Sequence, residues 1–128
     1  MNKIKYRAWN EENNSYKTNV FLSADGLNLL YFEDSKILAL PLLNSKFTIE
    51  QYSMFDDKNG KGIFENDIVK VKYHYADGTD DIEEVIKVVV LNNGSFCFGD
   101  GTIFEYKQKP FSVIEVIGNI HQNQELLN

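Results

Sequence analysis

The sequence predicts a mainly β fold, β-rich α+β at most, and three observations carry that expectation. Apolar residues recur with period two along most of the chain. Turn-forming residues interrupt the apolar runs at short intervals, as at Asp25-Gly26, Asn59-Gly60 and Asn93-Gly94. The i, i+3, i+4, i+7 spacing of a long amphipathic helix is largely absent. The architecture expected is a small SH3-like, barrel-type C-terminal unit with N-terminal strands packed against it. The 128 residues suit one domain, 1–128. A soft subdomain boundary falls near residue 53, because the alternation is weaker before that point than after it.

Each element can be justified in turn. "IKYRAWN" places Ile4, Tyr6 and Ala8 on one face of a strand and Lys5, Arg7 and Trp9 on the other. "NEENNS" breaks that strand. "YKTNVFLSADGLNLLYFED" reads as two strands joined near Ala24-Asp25-Gly26, where Asp-Gly supplies the positive φ of a tight hairpin. "KILALPLL" fits a strand or a short helical turn, and Pro41 argues against a central strand because it lacks a ladder donor. "KFTIEQYSMF" alternates as a strand. "DDKNGKG" is a turn, "IFEND" a kink, and "IVKVKYHYA" a half-buried strand. Val69, Val71, Tyr73 and Tyr75 share its inner face, and Ile68, Lys70, Lys72 and His74 its wetter one. The polar loop "DGTDDIEE" leads to the strand "VIKVVVL". "SFCFGDG" and "TIFEYK" follow, then Pro110, a last strand "FSVIEVIGNI", and "NQELL" as a single helical turn.

Composition narrows the function. The formal charge is −6, with Arg7 the only arginine and the lysines scattered. A basic stripe to neutralise phosphates is missing, which disfavours nucleic acid and anionic membrane surfaces as partners. No apolar run is long enough to span a bilayer. The N-terminus lacks the apolar run of a signal peptide, and Cys97 is the single cysteine, so a reducing, cytoplasmic setting is expected.

Three segments resemble a known family. They are "IKYRAWN", "DKNGKGIFENDIVKV" and "EVIGNIHQNQELL", in that order and spanning nearly the whole chain. Together they look like the YopX family of phage and prophage proteins. The resemblance implies a mainly β fold, a mobile-element origin and no established catalytic residue set. Asn66 stands where the family usually has Gly. Asn tolerates left-handed backbone better than other non-glycine residues, so the change is mild.

The central segment is explicable as a set of folding devices. Asn59 and Gly60 set a turn, Asn66 accepts unusual backbone angles, and Asp67 can accept backbone N–H bonds at the kink. Val69 and Val71 hold strand register through burial. With Gly118 and Asn119 of the last segment, they form a structural motif rather than a ligand site.

Residues with chemical potential read the same way. Asp77, Asp80, Asp81, Glu83 and Glu84 lack the spacing of a calcium loop and read as a solvated hairpin loop. His74, His121 and Cys97 lack zinc-ligand spacing. Cys97 reads as a small strand residue on the opposite face from Phe96 and Phe98. No nucleophile elbow, P-loop or dinucleotide fingerprint is present, and the Glu65/Asp67 pair reads as structural. No metal or cofactor is expected, and no enzyme activity. The expectation is a non-catalytic protein-binding or self-assembling accessory module, with Trp9 as the interface candidate because it lies opposite the Ile4/Tyr6/Ala8 face. The alternative is a small-barrel nucleic-acid binder, which needs Lys70, Lys72 and Lys87 on one face, or an acidic DNA mimic.

Overall fold

The computed structural model describes residues 5–74, 82–92, 94–99 and 112–128. Expectations for Ile4, Tyr75, Asp77, Asp80, Asp81, Thr102, Phe104 and Pro110, and for the side chains of Tyr73, His74 and Glu83, lie outside the described residues. The chain is mainly β. Ten strands run as β1 Tyr6–Asn10, β2 Ser15–Leu22, β3 Asn28–Glu33, β4 Lys36–Pro41, β5 Phe47–Asp56, β6 Gly62–Phe64, β7 Asp67–His74, β8 Ile82–Asn92, β9 Ser95–Phe98 and β10 Ser112–Asn119. A 3-10 turn, Gln124–Leu127, follows them. No helix among the described residues is long and apolar enough to cross a membrane.

The strands form two antiparallel sheets, ordered β4-β3-β2-β1-β5-β6 and β10-β7-β8-β9. Chain contacts divide the molecule into two compact units, Met1–Tyr52 and Ser53–Asn128.

The first unit is built from short antiparallel connections. At Ser23–Leu27 the Asp25 carboxylate accepts from the Leu27 N–H at 3.0 Å, and Gly26 takes φ +74°. Asp34 and Ser35 join β3 to β4 with φ of 50° and 64°. Those values suit the two-residue hairpin turn whose twist matches the flanking strands. Lys36–Pro41 of the "KILALPLL" segment is therefore a strand. β4 sits at the sheet edge with Pro41 as its last residue, a position that tolerates a missing donor. Pairing of β1 with β2 slips between Tyr6 and Ala8, and Asn19 in β2 takes φ 56°. This bulge returns Val20 to the face that carries Ala8 and Leu29, the buried centre of this unit.

The second unit packs Ile63, Val69, Val71, Val89, Phe98 and Ile114 into one core. Four of its strands pair as an open antiparallel sheet, β10-β7-β8-β9, and the described residues show no closed barrel. β10 and β9 are the two edges, and no pairing joins them among the described residues. β6 and the end of β5 also belong to this unit, and Ile63 of β6 packs into its core. Ile68 also departs from expectation, since it is fully buried rather than on a wet face. It pairs with Val88 on one side and with Gly118 on the other, and the C-terminal 3-10 turn packs against β8.

Candidate interaction surface

The central and C-terminal sequence motifs meet in space, and Asp57 joins them. One carboxylate oxygen of Asp57 accepts from the N–H groups of Asn59 at 2.8 Å and Lys61 at 2.9 Å. The other accepts from the Val116 N–H of β10 at 2.9 Å. Its backbone closes the same turn, with the Asp57 N–H donating to the Lys61 carbonyl at 2.7 Å. Burial pushes the Asp57 carboxyl up. The three N–H donors, of Val116, Lys61 and Asn59, together with the Lys61 charge, outweigh that effect and hold it below the usual carboxylate range. Gly60 occupies the left-handed position of this turn at φ +80°.

The other motif residues complete the junction. Asn66 takes φ 68°, donates its N–H to the Val89 carbonyl at 2.7 Å, and accepts from the Ile120 N–H at 2.9 Å. Asp67 is buried and accepts from the Phe64 N–H at 2.8 Å. The Asn119 side chain accepts from the N–H groups of His121 and Gln122, both at 3.0 Å. A Cβ on Gly118 would come within 2.5 Å of Asn123 Oδ1, which itself accepts from the Asn119 N–H at 3.1 Å. These polar groups are occupied in holding backbone.

In the first unit, Arg7 and Glu50 face each other across the β1–β5 ladder. Arg7 Nε donates to Glu50 Oε1 at 2.8 Å, and the Tyr16 hydroxyl donates to the same oxygen at 2.9 Å. The guanidinium lies 4.3 Å from the Tyr16 ring centroid, and Trp9 meets that ring edge-on at 4.9 Å. Glu50 is fully buried. Trp9 is only 3 % exposed, so the face expected to need a partner subunit at Trp9 is already covered within the chain.

The exposed apolar surface lies elsewhere, on β2, β3 and β4. Phe21 is 52 %, Phe32 62 % and Ile37 65 % exposed. Register places all three on one face: Phe21 pairs with Leu30, two residues from Phe32, and Phe32 pairs with Ile37. The two rings meet edge-on at 6.1 Å. The Ile37–Ser45 run that follows the β3–β4 turn contains no charged residue.

The described residues supply little for chemistry or phosphate binding. No group of three or more His, Cys, Asp or Glu among them could hold a metal ion. An open recess lined by Ile86, Lys87, Val88, Gly99 and Leu127 contains no histidine, cysteine or carboxylate. Lys70 and Lys72 both lie 3.6 Å from Glu84. Lys87 pairs with Val69 on the opposite face, its ammonium 5.0 Å from the Phe98 ring centroid.

Comparison with known proteins bears on this geometry. A family model described as YopX protein matches residues 5–128. This chain belongs to the YopX family. No curated protein matches it. Two solved structures resemble the YopX-family fold seen here. Protein EF1440 from Enterococcus faecalis is 23 % identical with a TM-score of 0.68, and the match covers 100 % of both chains. Protein yopX from Bacillus subtilis is 20 % identical with a TM-score of 0.65, covering 100 % of this chain and 98 % of that one. At such identities the likeness speaks to the fold alone.

Sequence reading found most of the backbone-holding residues of this YopX-family chain but missed Asp57 as their hub. The signal was present, since an Asp two residues before Asn-Gly is placed to cap a turn. Its partner Val116 lies 59 residues away, which no local pattern reports. Neither Phe21 nor Phe32 carries a local signal that marks it as exposed.

Proposed function

We propose that this protein is a non-catalytic, protein-binding accessory module of phage or prophage origin that acts in the cytoplasm. One observation carries the proposal: Phe21, Phe32 and Ile37 form a solvent-exposed apolar cluster on one face of the adjacent strands β2, β3 and β4. Large apolar side chains gathered on a surface mark interaction sites more often than singly scattered ones do. The net charge of −6, the pairing of Lys70 and Lys72 with Glu84, and the separation of Lys87 from them argue for protein rather than nucleic acid as partner. The motif residues are engaged in turns and register, which supports a role without catalysis.

The test is a paired affinity capture from nuclease-treated bacterial lysate, using the wild-type chain and the Phe21→Asp/Phe32→Asp variant. A protein retained by the wild type and lost from a folded variant supports the proposal. Equal retention by both moves the docking site elsewhere. Enrichment that disappears with nuclease treatment favours nucleic acid.

A further inference from the structure

We infer that the open β4 edge beside the exposed apolar face takes a second copy of this chain, paired antiparallel about a two-fold axis at Leu38. This pairing goes beyond the docking face proposed above, which it leaves open and extends across both copies.

The inference starts from which β4 groups face outward. The two-residue turn makes Glu33 and Lys36 a hydrogen-bonded pair, and antiparallel ladders alternate from there. Lys36, Leu38 and Leu40 therefore bond inward to β3. The Leu42 N–H, donating to the Leu27 carbonyl at 2.9 Å, continues that series. Among the described residues β4 is the terminal strand of its sheet, so Ile37, Ala39 and Pro41 direct their backbone groups to its open edge. The edge thus offers donors at Ile37 and Ala39 but none at Pro41.

That pattern selects one register. Centred on Ala39, a symmetric pair would set Ile37 against Pro41, leaving the Ile37 carbonyl without a donor and the proline ring in a narrow pair. Centred on Leu38, Ile37 faces Ala39 of the other copy, twice. About four ladder hydrogen bonds form and none needs the missing donor. The two-fold pairing closes on itself, and Pro41 limits its extension.

Charge and surface favour the same partner. A chain of net charge −6 resists self-association, yet Ile37–Ser45 carries no charge, so the paired edges meet without local repulsion. Natural edge strands usually carry a charge to prevent this contact, and here only Lys36 at the turn supplies one. In the Leu38-centred register the two copies' Ile37 and Ala39 side chains lie on one face. The Phe21/Phe32/Ile37 clusters of both copies become one continuous apolar surface.

Sedimentation of the full chain over a wide concentration range tests the association. A reversible dimer is expected. Ala39→Pro removes an outward donor while sparing every β3–β4 bond, and it should give a monomer with unchanged circular dichroism. In a Cys97→Ser background, Leu38→Cys should oxidise to a disulfide-linked dimer, because facing residues of a non-hydrogen-bonded pair lie about 4.5 Å apart at Cα, within disulfide reach. Ala39→Cys should cross-link less. A wild-type chain that stays monomeric, an Ala39→Pro dimer as tight as wild type, or preferential cross-linking through Ala39→Cys would each overturn the proposed pairing. A monomeric wild type whose protein capture still falls with Phe21→Asp/Phe32→Asp would sink the β4 dimer and leave the docking face intact.

Discussion

The two units solve the same problem, stabilising a small antiparallel sheet, by different means. The second unit buries a cluster of Ile63, Val69, Val71, Val89, Phe98 and Ile114, with full burial of each such side chain worth about 1.5–3 kcal/mol. Asp57 then ties its turn to β10. The first unit centres on Ala8, Val20 and Leu29, with Trp9 and Tyr52 also buried, spends a buried position on Glu50, and leaves Phe21, Phe32 and Ile37 in solvent. The first unit carries the exposed apolar face on which the proposed docking rests, and the second carries the tightly specified motifs that hold its own backbone.

The largest effect expected from breaking this contrast is at Glu50. Glu50→Ala leaves Arg7, only 12 % exposed, without the carboxylate it bonds, and should destabilise by about 3–5 kcal/mol. Trp9 is the sole tryptophan and touches the Tyr16 ring of this cluster, so its fluorescence during denaturant unfolding reports the loss. Unchanged Trp9 unfolding would mean that the buried pair adds nothing to the first unit.

Asp57 gives the next effect. Asp57→Asn removes the charge that three backbone donors share and should cost about 1.5–3 kcal/mol, read as faster amide exchange across β7 and β10. The carboxyl ionises at lower pH folded than unfolded. Its contribution is therefore complete above the unfolded value of about 3.9 and is lost as pH falls through the depressed folded value. The variant should lack this acid-side loss, and parallel acid titrations of the two proteins would contradict the assignment.

Gly118→Ala should cost about 1–3 kcal/mol, because the new methyl displaces the Asn123 side chain from the Asn119 N–H. Thermal melting measures it. Adding Asn123→Ala should relieve most of the steric part, whereas a full loss in the double variant would place the cost in the backbone.

The smallest stability change belongs to the exposed face. Phe32→Asp should alter folding stability by about 0.5 kcal/mol or less, while reducing protein capture strongly. A large loss of stability instead would mean that the ring contributes to the fold, and would erase the distinction drawn between the units.

Much of the architecture could be read locally. Period-two alternation located the strands, Asp25-Gly26 and Asn59-Gly60 marked turns, and Pro41 argued against a central strand. Asn66 and Asp67 could be assigned backbone roles because φ > 0 tolerance and short-range capping belong to the residue and its immediate neighbours. The same reasoning failed at Ile68 and Trp9. Alternation says that two faces differ but not which part of each face will be covered, because coverage depends on strands distant in sequence.

The sequence by itself therefore determined the strand-rich character, the turn positions, the lack of metal-ligand spacing and the family resemblance. These rest on backbone preferences and side-chain periodicity, which act over a few residues. Only the tertiary structure decided that Asp57 would reach Val116, that Trp9 would be buried while Phe21 and Phe32 stayed exposed, and that β4 would end its sheet with Ile37 and Ala39 facing outward. Those outcomes depend on strand order and register, and each brings together groups whose separation along the chain carries no local signal.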